Sequence, residues 1–360
     1  MRKLAHAGVP IWVMSADKIG DLLSSRALRV NELPRTPLDT ARILANHYGH
    51  VLEPTNYVRG VGISGRLRLA TVDSDTPDPS NDIAELIAPS ITDEAFDKTS
   101  QSDGSVHSGF VWSSDLSSST NDDRYIANLI RYADLYLNMR SDGFPGPVDP
   151  DYRVEDVFFL GAVLGRAFEA TSDSRYADVL ITALKKYQPQ PDTGLWHHCG
   201  ESPFYWGRGN GFVALGFSEA LTYLDHDQAG VSELREKHIA HLDALLPHQE
   251  EGGGAWRQII NEPDTYLELT CTSQIGYAMA RGRRLGWLPE RFEDPLARAW
   301  DSVSSRVTDV GMVAHSCTGT GPLATIGEYR IRKRENGYDD RGGSLALWFA
   351  VEYLTYTQGK

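Results

Sequence analysis

Six stretches of this 360-residue chain share one character: small residues at the start, then aromatics and aliphatics with few charges. They begin near Tyr57 (YVRGVGISGRLRLA), His107 (HSGFVWSSDL), Glu155 (EDVFFLGAVLGRAFEA), Tyr205 (YWGRGNGFVALGFSEALTYL), Tyr266 (YLELTCTSQIGYAMARG) and Arg341 (RGGSLALWFAVEYL), at intervals of 50, 48, 50, 61 and 75 residues. A helix that is apolar nearly all round has to be buried. Between these stretches lie segments with one apolar stripe. Ile126, Leu129, Ile130, Ala133 and Leu137 recur at helical spacing, as do Tyr176, Val179, Leu180, Ala183, Leu184 and Tyr187. Segments 38–50, 81–91, 232–247 and 293–306 read likewise. One-sided and all-buried helices alternating six times predict an all-α fold, an (α/α)6 barrel of six helical hairpins. The buried helices form the inner ring, and their glycine- and aromatic-rich starts converge on one mouth. An open superhelix of helix pairs is the alternative; six pairs suffice to close. Strands are expected only as short loop hairpins, near 194–198 and 255–260. The barrel is expected to span 37–360, with 1–36 an N-terminal extension packed on it.

Charge narrows the partners. A net charge of −14 argues against nucleic acid or an anionic membrane as the main ligand, since phosphate contacts need clustered Lys and Arg. An acidic sugar stays open, because it needs only a local basic pocket. Cys199, Cys271 and Cys317 are scattered, without a CxxC pair, so neither a disulfide framework nor a zinc ribbon is indicated. The start, MRKLAHAGVPIWVMSADKIG, has no sustained apolar run and does not read as a signal peptide, and no stretch reaches transmembrane length. The expectation is a soluble cytoplasmic protein, monomer or homodimer.

The mouth segments hold the candidate chemistry. RVEDVFF puts Glu155 and Asp156 at the start of an apolar helix, where carboxylates favour the free N–H groups and the dipole. Capping is the preferred role for Glu155. Asp156 precedes Val157, Phe158, Phe159 and Leu160, so desolvation can raise its pKa and make it an acid, or it too can be a helix-start carboxylate. The stretch TGLWHHCGESPFYWGRGNGF offers aromatics for stacking on sugar rings and Arg208 as a planar clamp for a carboxylate. His197 and His198 are adjacent and form a poor metal pair, since in an extended segment they face opposite sides. Phe212 reads as core. Gly60, Gly62 and Gly65 spell GxGxxG without a preceding strand, so close helix packing explains them better than a dinucleotide. No GxxxxGK[ST], HExxH or GxSxG occurs. The stretch 316–344 reads as a rim loop or lid, and its run Arg330, Arg332, Lys333, Arg334 as a solvated face.

EDVFFLGAVLGRAFEATSDSRYADV, TGLWHH, WGRGNGF, GGAWRQII, YLELTCTSQIGYAMARGRRLGWL and GTGP…EYRIRKRENGYDDRGGS together resemble the unsaturated glycoside hydrolases, over roughly residues 125–355. That family comprises unsaturated rhamnogalacturonyl and unsaturated glucuronyl hydrolases. The resemblance implies an (α/α)6 barrel that removes a 4,5-unsaturated uronic acid from oligosaccharides left by polysaccharide lyases. One aspartate, by position Asp156, donates a proton to C4, and its conjugate base activates water for C5. The resulting hemiketal collapses and releases the neighbouring sugar. His198, Trp206 and Arg208 match the family's pocket histidine and its Trp-x-Arg. With Asn210, Glu268, His107 and Arg341 they make up the expected substrate-binding set. No metal or organic cofactor is implied.

Three departures stand out. Val154 occupies a position that is often aromatic. Before the Gly-Phe pair, where the family often has a second aspartate, this chain has His107 and Ser108, with Asp103 and Asp115 nearby. Arg341 replaces a histidine. His107 is therefore expected to position sugar or water in place of a carboxylate. Two alternatives follow. One is an inverting glycosidase pairing Asp156 with Glu268 or Asp115, which needs a separation of roughly 6.5–9.5 Å. The other is a sugar-binding relative without turnover.

Overall fold

A computed structural model describes residues 35–359, so the expected N-terminal extension lies, but for its last two residues, outside the described residues. The chain alternates outer and inner helices. Outer α1 (Pro37–Ala45) leads to inner α2 (Tyr57–Val72). Outer α3 (Ser80–Ile87) and α4 (Asp93–Thr99) lead to a broken inner segment, α5 (Gly104–His107) and α6 (Ser113–Thr120). Then come outer α7 (Arg124–Leu135), inner α8 (Glu155–Thr171), outer α9 (Ser174–Lys186), inner α10 (Gly207–Tyr223), outer α11 (Val231–Leu245) and inner α12 (Leu269–Arg284). Outer α13 (Glu293–Ser304), a long rim segment carrying the short α14 (Ile326–Arg330), and inner α15 (Asp340–Gln358) complete the turn.

The inner segments pack in sequence, α2 on α5, α5 on α8, α8 on α10, α10 on α12, α12 on α15, and α15 back on α2. That closure makes the (α/α)6 barrel. Burial follows the sequence pattern. Every residue from Asp156 to Ala167 in α8 and from Gly207 to Leu221 in α10 is buried. In outer α9 only the stripe of Tyr176, Ala177, Leu180, Ile181, Ala183 and Leu184 is. Each large apolar side chain so buried contributes about 1.5–3 kcal/mol.

Close approach depends on glycine at one crossing that matters for the site. A Cβ at Gly161 would collide with the Gly216 carbonyl, and one at Gly216 with the Val157 backbone. These two glycines let α8 and α10 touch backbone to backbone, which brings Asp156 beside Trp206. The GxGxxG glycines likewise serve packing, Gly60 against Gly109, Gly62 against Gly49 and Ser344, and Gly65 against Leu347.

The strands differ from expectation. Residues 194–198 hold no strand, and 255–260 contribute only isolated bridges, Trp206 with Ile259 and Arg257 with Leu267. The two-stranded ladder lies in the rim segment, β1 (Val313–Cys317) antiparallel to β2 (Arg334–Gly337), with a bulge between Ala314 and Ser316. Among the described residues no helix is long and apolar enough to cross a membrane.

Candidate active site

The inner helices start at the same end of the barrel, and a cavity of about 250 Å³ opens there. Its floor is aromatic, with Tyr57 from α2, Phe159 from α8, and Trp206 and Phe212 at the start of α10. Its polar wall carries four carboxylates, Asp103, Asp149, Glu155 and Asp156, and three arginines, Arg153, Arg208 and Arg341. Gly319, Thr320 and Gly321, just after β1, form the remaining side. Among the described residues no cluster of three or more His, Cys, Asp or Glu side chains is arranged to hold a metal ion.

Asp156 sits in the first turn of α8 and is 5 % exposed. Burial pushes its carboxyl well above the usual carboxylate range. An N–H from Asp149, 3.0 Å from Oδ2, offsets part of that effect, while the nearby Glu155, Asp149 and Asp103 add to it. The loop that presents this N–H turns through Tyr152, whose φ of 54° is left-handed. A carboxyl whose acid form is favoured in this way is suited to give its proton to a bound ligand.

The preceding residue takes a different course from capping. Helix α8 has no side-chain cap, and Glu155 turns to the cavity wall, where Oε1 accepts from Nε2 of His198 at 3.0 Å. Nδ1 of His198 in turn meets the Tyr329 hydroxyl. His198 is thus fully buried behind the wall, its ring 4.4 Å from that of Trp206, and it does not line the cavity. His197 packs its ring near Tyr205.

The three arginines are held differently. Nη1 and Nη2 of Arg208 donate to the carbonyls of Cys317 (2.6 Å) and Thr318 (2.9 Å), and its guanidinium lies 4.6 Å from the Trp206 ring. Arg153 pairs with Asp149 at 3.1 Å. Among the described residues the one carboxylate within ion-pair distance of Arg341 is Asp339, at 3.9 Å, and the Arg341 side chain is 26 % exposed.

Several expected site residues do not reach the cavity. His107 is fully buried between Tyr132 and Tyr136, with Nδ1 3.3 Å from the Tyr136 hydroxyl, and burial lowers its pKa to about 4. Asp103, four residues earlier, lines the cavity instead. The whole Asn210 amide is used by backbone, accepting from Trp196 N–H and donating to the carbonyls of Trp196 and Trp206. Glu268 is the buried N-cap of α12, accepting from the N–H groups of Thr270, Cys271 and Cys317. Asp115 pairs with Arg68 deeper in the barrel. Neither partner considered for a two-carboxylate displacement therefore lines the cavity with Asp156. Trp206, Arg208, Arg341 and Asp156 do come together there. Tyr57 was findable as the first residue of an inner segment. Asp149 and Arg153 lie in a loop whose course no periodicity reports.

Known proteins resemble this chain in sequence and in fold. The chain is 27 % identical over 173 residues to unsaturated rhamnogalacturonyl hydrolase YesR of Bacillus subtilis (strain 168), covering 46 % of this chain and 47 % of that one. It is 29 % identical over 154 residues to an unsaturated 3S-rhamnoglycuronyl hydrolase of Alteromonas sp. (strain LOR), covering 41 % and 35 %. The chain spans about half or less of the length of these curated relatives. The solved structure of a family 105 glycoside hydrolase from C. acetobutylicum ATCC 824 superposes with a TM-score of 0.75 at 17 % identity, over 88 % of this chain and 99 % of that one. Residues 45–357 match Glycosyl Hydrolase Family 88, and the chain belongs to that family.

Proposed function

We propose that this glycoside hydrolase removes a 4,5-unsaturated uronic acid from lyase-generated oligosaccharides by hydrating the C4=C5 bond. The observation that carries the reading is Asp156, a buried carboxyl whose acid form burial favours, in a cavity with an aromatic floor and arginines on its wall. The names of the curated relatives, both hydrolases of unsaturated sugars, support the same class of substrate. Trp206 offers a face for the sugar ring. The uronate carboxylate pairs with Arg341, held among the described residues by no ion pair shorter than the 3.9 Å one to Asp339, rather than with Arg208, whose terminal nitrogens already serve backbone carbonyls. Asp156 gives its proton to C4, water adds at C5, and its conjugate base is a sink for the water's proton. The hemiketal at C5 then opens by breaking the C5–O5 ring bond, and the hemiacetal this leaves at C1 breaks its bond to the neighbouring sugar and releases it.

The test follows the ultraviolet band of the conjugated C4=C5–carboxylate across a panel of lyase products. Wild type is expected to consume the band and Asp156→Asn to lose at least about a hundredfold in rate, the usual worth of a general acid. Saturable binding without consumption of the band would point to a sugar-binding relative and end this reading.

A further inference from the structure

The loop from α7 to α8 gives the Asp156 carboxyl its one hydrogen-bond partner among the described residues, the Asp149 N–H, 3.0 Å from Oδ2. A protonated carboxyl has one O–H and one carbonyl oxygen, and the carbonyl oxygen is the better acceptor. An N–H fixed on Oδ2 therefore favours the form with the proton on Oδ1. That oxygen has no partner among the described residues, and the carboxyl lines the cavity.

The donor belongs to the Val148–Asp149 peptide, which is held at both ends. Its carbonyl, on Val148, accepts from Nη1 of Arg140. Arg140 is aimed in turn by Asp142, which accepts from Nε at 3.3 Å and from Nη2 at 2.7 Å. Asp142 also accepts from the Tyr152 hydroxyl at 3.1 Å, and the Tyr152 ring lies 4.8 Å from that of Phe144. On the other side of the peptide, the Asp149 carboxylate accepts from the Asp151 N–H at 2.9 Å, and the Asp149 carbonyl accepts from the Tyr152 N–H at 2.9 Å. A side chain reaching the N–H two residues on is an Asx turn, a geometry for Asp or Asn. The turn passes through left-handed Tyr152, a conformation that a non-glycine residue keeps only where its surroundings impose it. Asp151 ties the turn to a neighbouring loop by accepting from the Glu201 N–H at 3.1 Å.

Resting on the function proposed above, we infer that Arg140 and Asp149 are positioning residues of the reaction: together they set the Val148–Asp149 peptide so that its N–H holds Oδ2 of Asp156 and leaves the proton on Oδ1 for the sugar. Arg140 acts from outside the cavity, which it does not line. A cation on a peptide carbonyl polarises the unit and makes its N–H the stronger donor. In the reaction the Oδ1–H bond breaks, and the electron pair of the C4=C5 bond forms the new C4–H bond. The water oxygen bonds to C5, and one of that water's protons returns to Oδ1, so Asp156 ends as it began. Between the two transfers the carboxyl is ionised, and the N–H on Oδ2 becomes a charge-assisted donor, roughly twice as strong. The donor thus acts where charge develops.

Because Asp149 itself lines the cavity, the experiment separates its shape from its charge. Rates are read from consumption of the conjugated band on the lyase product that wild type consumes fastest, with thermal midpoints taken alongside. Asp149→Asn keeps the acceptor of the turn without the charge, and is expected to keep most of the wild-type kcat. Asp149→Glu keeps the charge but is one carbon too long for the turn, and is expected to lose about tenfold or more in kcat with KM within a few-fold. Arg140→Met, which keeps the length without donors, is expected to show the same split between kcat and KM. Arg140→Lys, which returns one charged donor, should recover part of the rate. An Asn variant as slow as the Glu variant or slower, or wild-type kcat in Asp149→Glu or Arg140→Met, overturns the positioning role while the function stands. An active Glu variant beside an inactive Asn variant would make the Asp149 carboxylate itself a reacting group. Should Arg140→Met fail to fold, the Asn and Glu pair at Asp149 decides. A wild type that consumes the band on no lyase product overturns the function and this role together.

Discussion

Asp156 is held in its acidic form at the expense of stability. A carboxyl whose folded pKa is raised binds more protons in the folded chain than in the unfolded one. Stability therefore falls as pH rises from the ordinary carboxylate value, about 4, to the raised one, by about 1.4 kcal/mol for each pH unit between them. Asp156→Asn keeps the shape and removes the titration. The variant is expected to melt above wild type at neutral pH, with the gap closing as pH falls below about 4, where both are neutral. Thermal unfolding across that range checks the sign; a variant that melts below wild type throughout would mean the carboxylate is not strained. Asp156 was legible in the sequence because its helical neighbours Val157, Phe158, Phe159 and Leu160 announce desolvation. Glu155 was not, because a carboxylate at a helix start looks the same whether it caps the helix or turns to a histidine forty-three positions along. For His107, Asn210 and Glu268 the residue type suggested chemistry. Their burial and backbone partners, set by loops far away in sequence, assign them to the frame.

The elements around the mouth divide into rigid starts and a fastened wall. Helix starts were readable from composition, since α2 and α8 begin at Tyr57 and Glu155 as expected, α10 and α15 within two residues and α12 within three. The second inner helix is broken between His107 and Ser113, around Gly109, a residue of low helix propensity. The wall after β1 was anticipated only as a rim loop or lid, because its course depends on side chains from distant parts of the chain. Arg208 reaches across to the carbonyls of Cys317 and Thr318, so the loop carrying Gly319 to Gly321 is tied to the barrel rather than left as a free lid. Two arginines on one cavity should then fail in different ways. Arg208→Gln leaves those buried carbonyls unmet and is expected to cost about 1–3 kcal/mol of stability, seen as a lower unfolding midpoint. If Arg341 holds the uronate as proposed, Arg341→Gln loses a charge-assisted pair worth about 1.5–3 kcal/mol and is expected to raise KM about tenfold or more with the melting temperature nearly unchanged. Exchanged outcomes would give the carboxylate to Arg208.

At the scale of the whole molecule, the mouth is one end of a barrel whose axis is filled by charge. Some ten to thirteen residues beyond the mouth, roughly 15–20 Å down the axis, each inner segment contributes one charged residue to an interior set, four of them buried and the Arg68–Asp115 pair partly exposed. They are Arg68 from α2, Asp115 from α6, Arg166 from α8, Glu219 from α10, Arg281 from α12 and Glu352 from α15. Arg68 pairs with Asp115 at 3.1 Å, Arg166 with Glu219 at 2.7 Å and Arg281 with Glu352 at 2.7 Å. The Tyr277 hydroxyl links the pairs, accepting from Arg68 at 3.0 Å and donating to Glu219 at 2.8 Å. These six charges balance, which a low-dielectric barrel axis demands, and the partly exposed Arg284 pairs with Glu352 as well, at 2.7 Å. Such pairs need not outdo a hydrophobic plug in stability, but they set which inner helix faces which, and breaking one is expensive. Burial pushes the Glu219 carboxyl up, yet Arg166, Arg281 and Arg68 outweigh it and hold it at about 2. Its contribution is therefore fully present above the ordinary glutamate value of 4.5 and is lost as pH falls towards 2. Glu219→Gln strands Arg166 in the interior and is expected to cost about 3–5 kcal/mol at neutral pH, read from the urea midpoint at constant slope. The deficit should shrink as the pH is lowered below 4.5, because wild type then loses the same charge. Glu94→Gln, which breaks the exposed pair with Lys98 on α4, should leave the midpoint where it was. Equal effects from the two substitutions would mean that the plug is as hydrated as the surface, and that the packing of Gly161 on Gly216, rather than charge, keeps the inner helices in register.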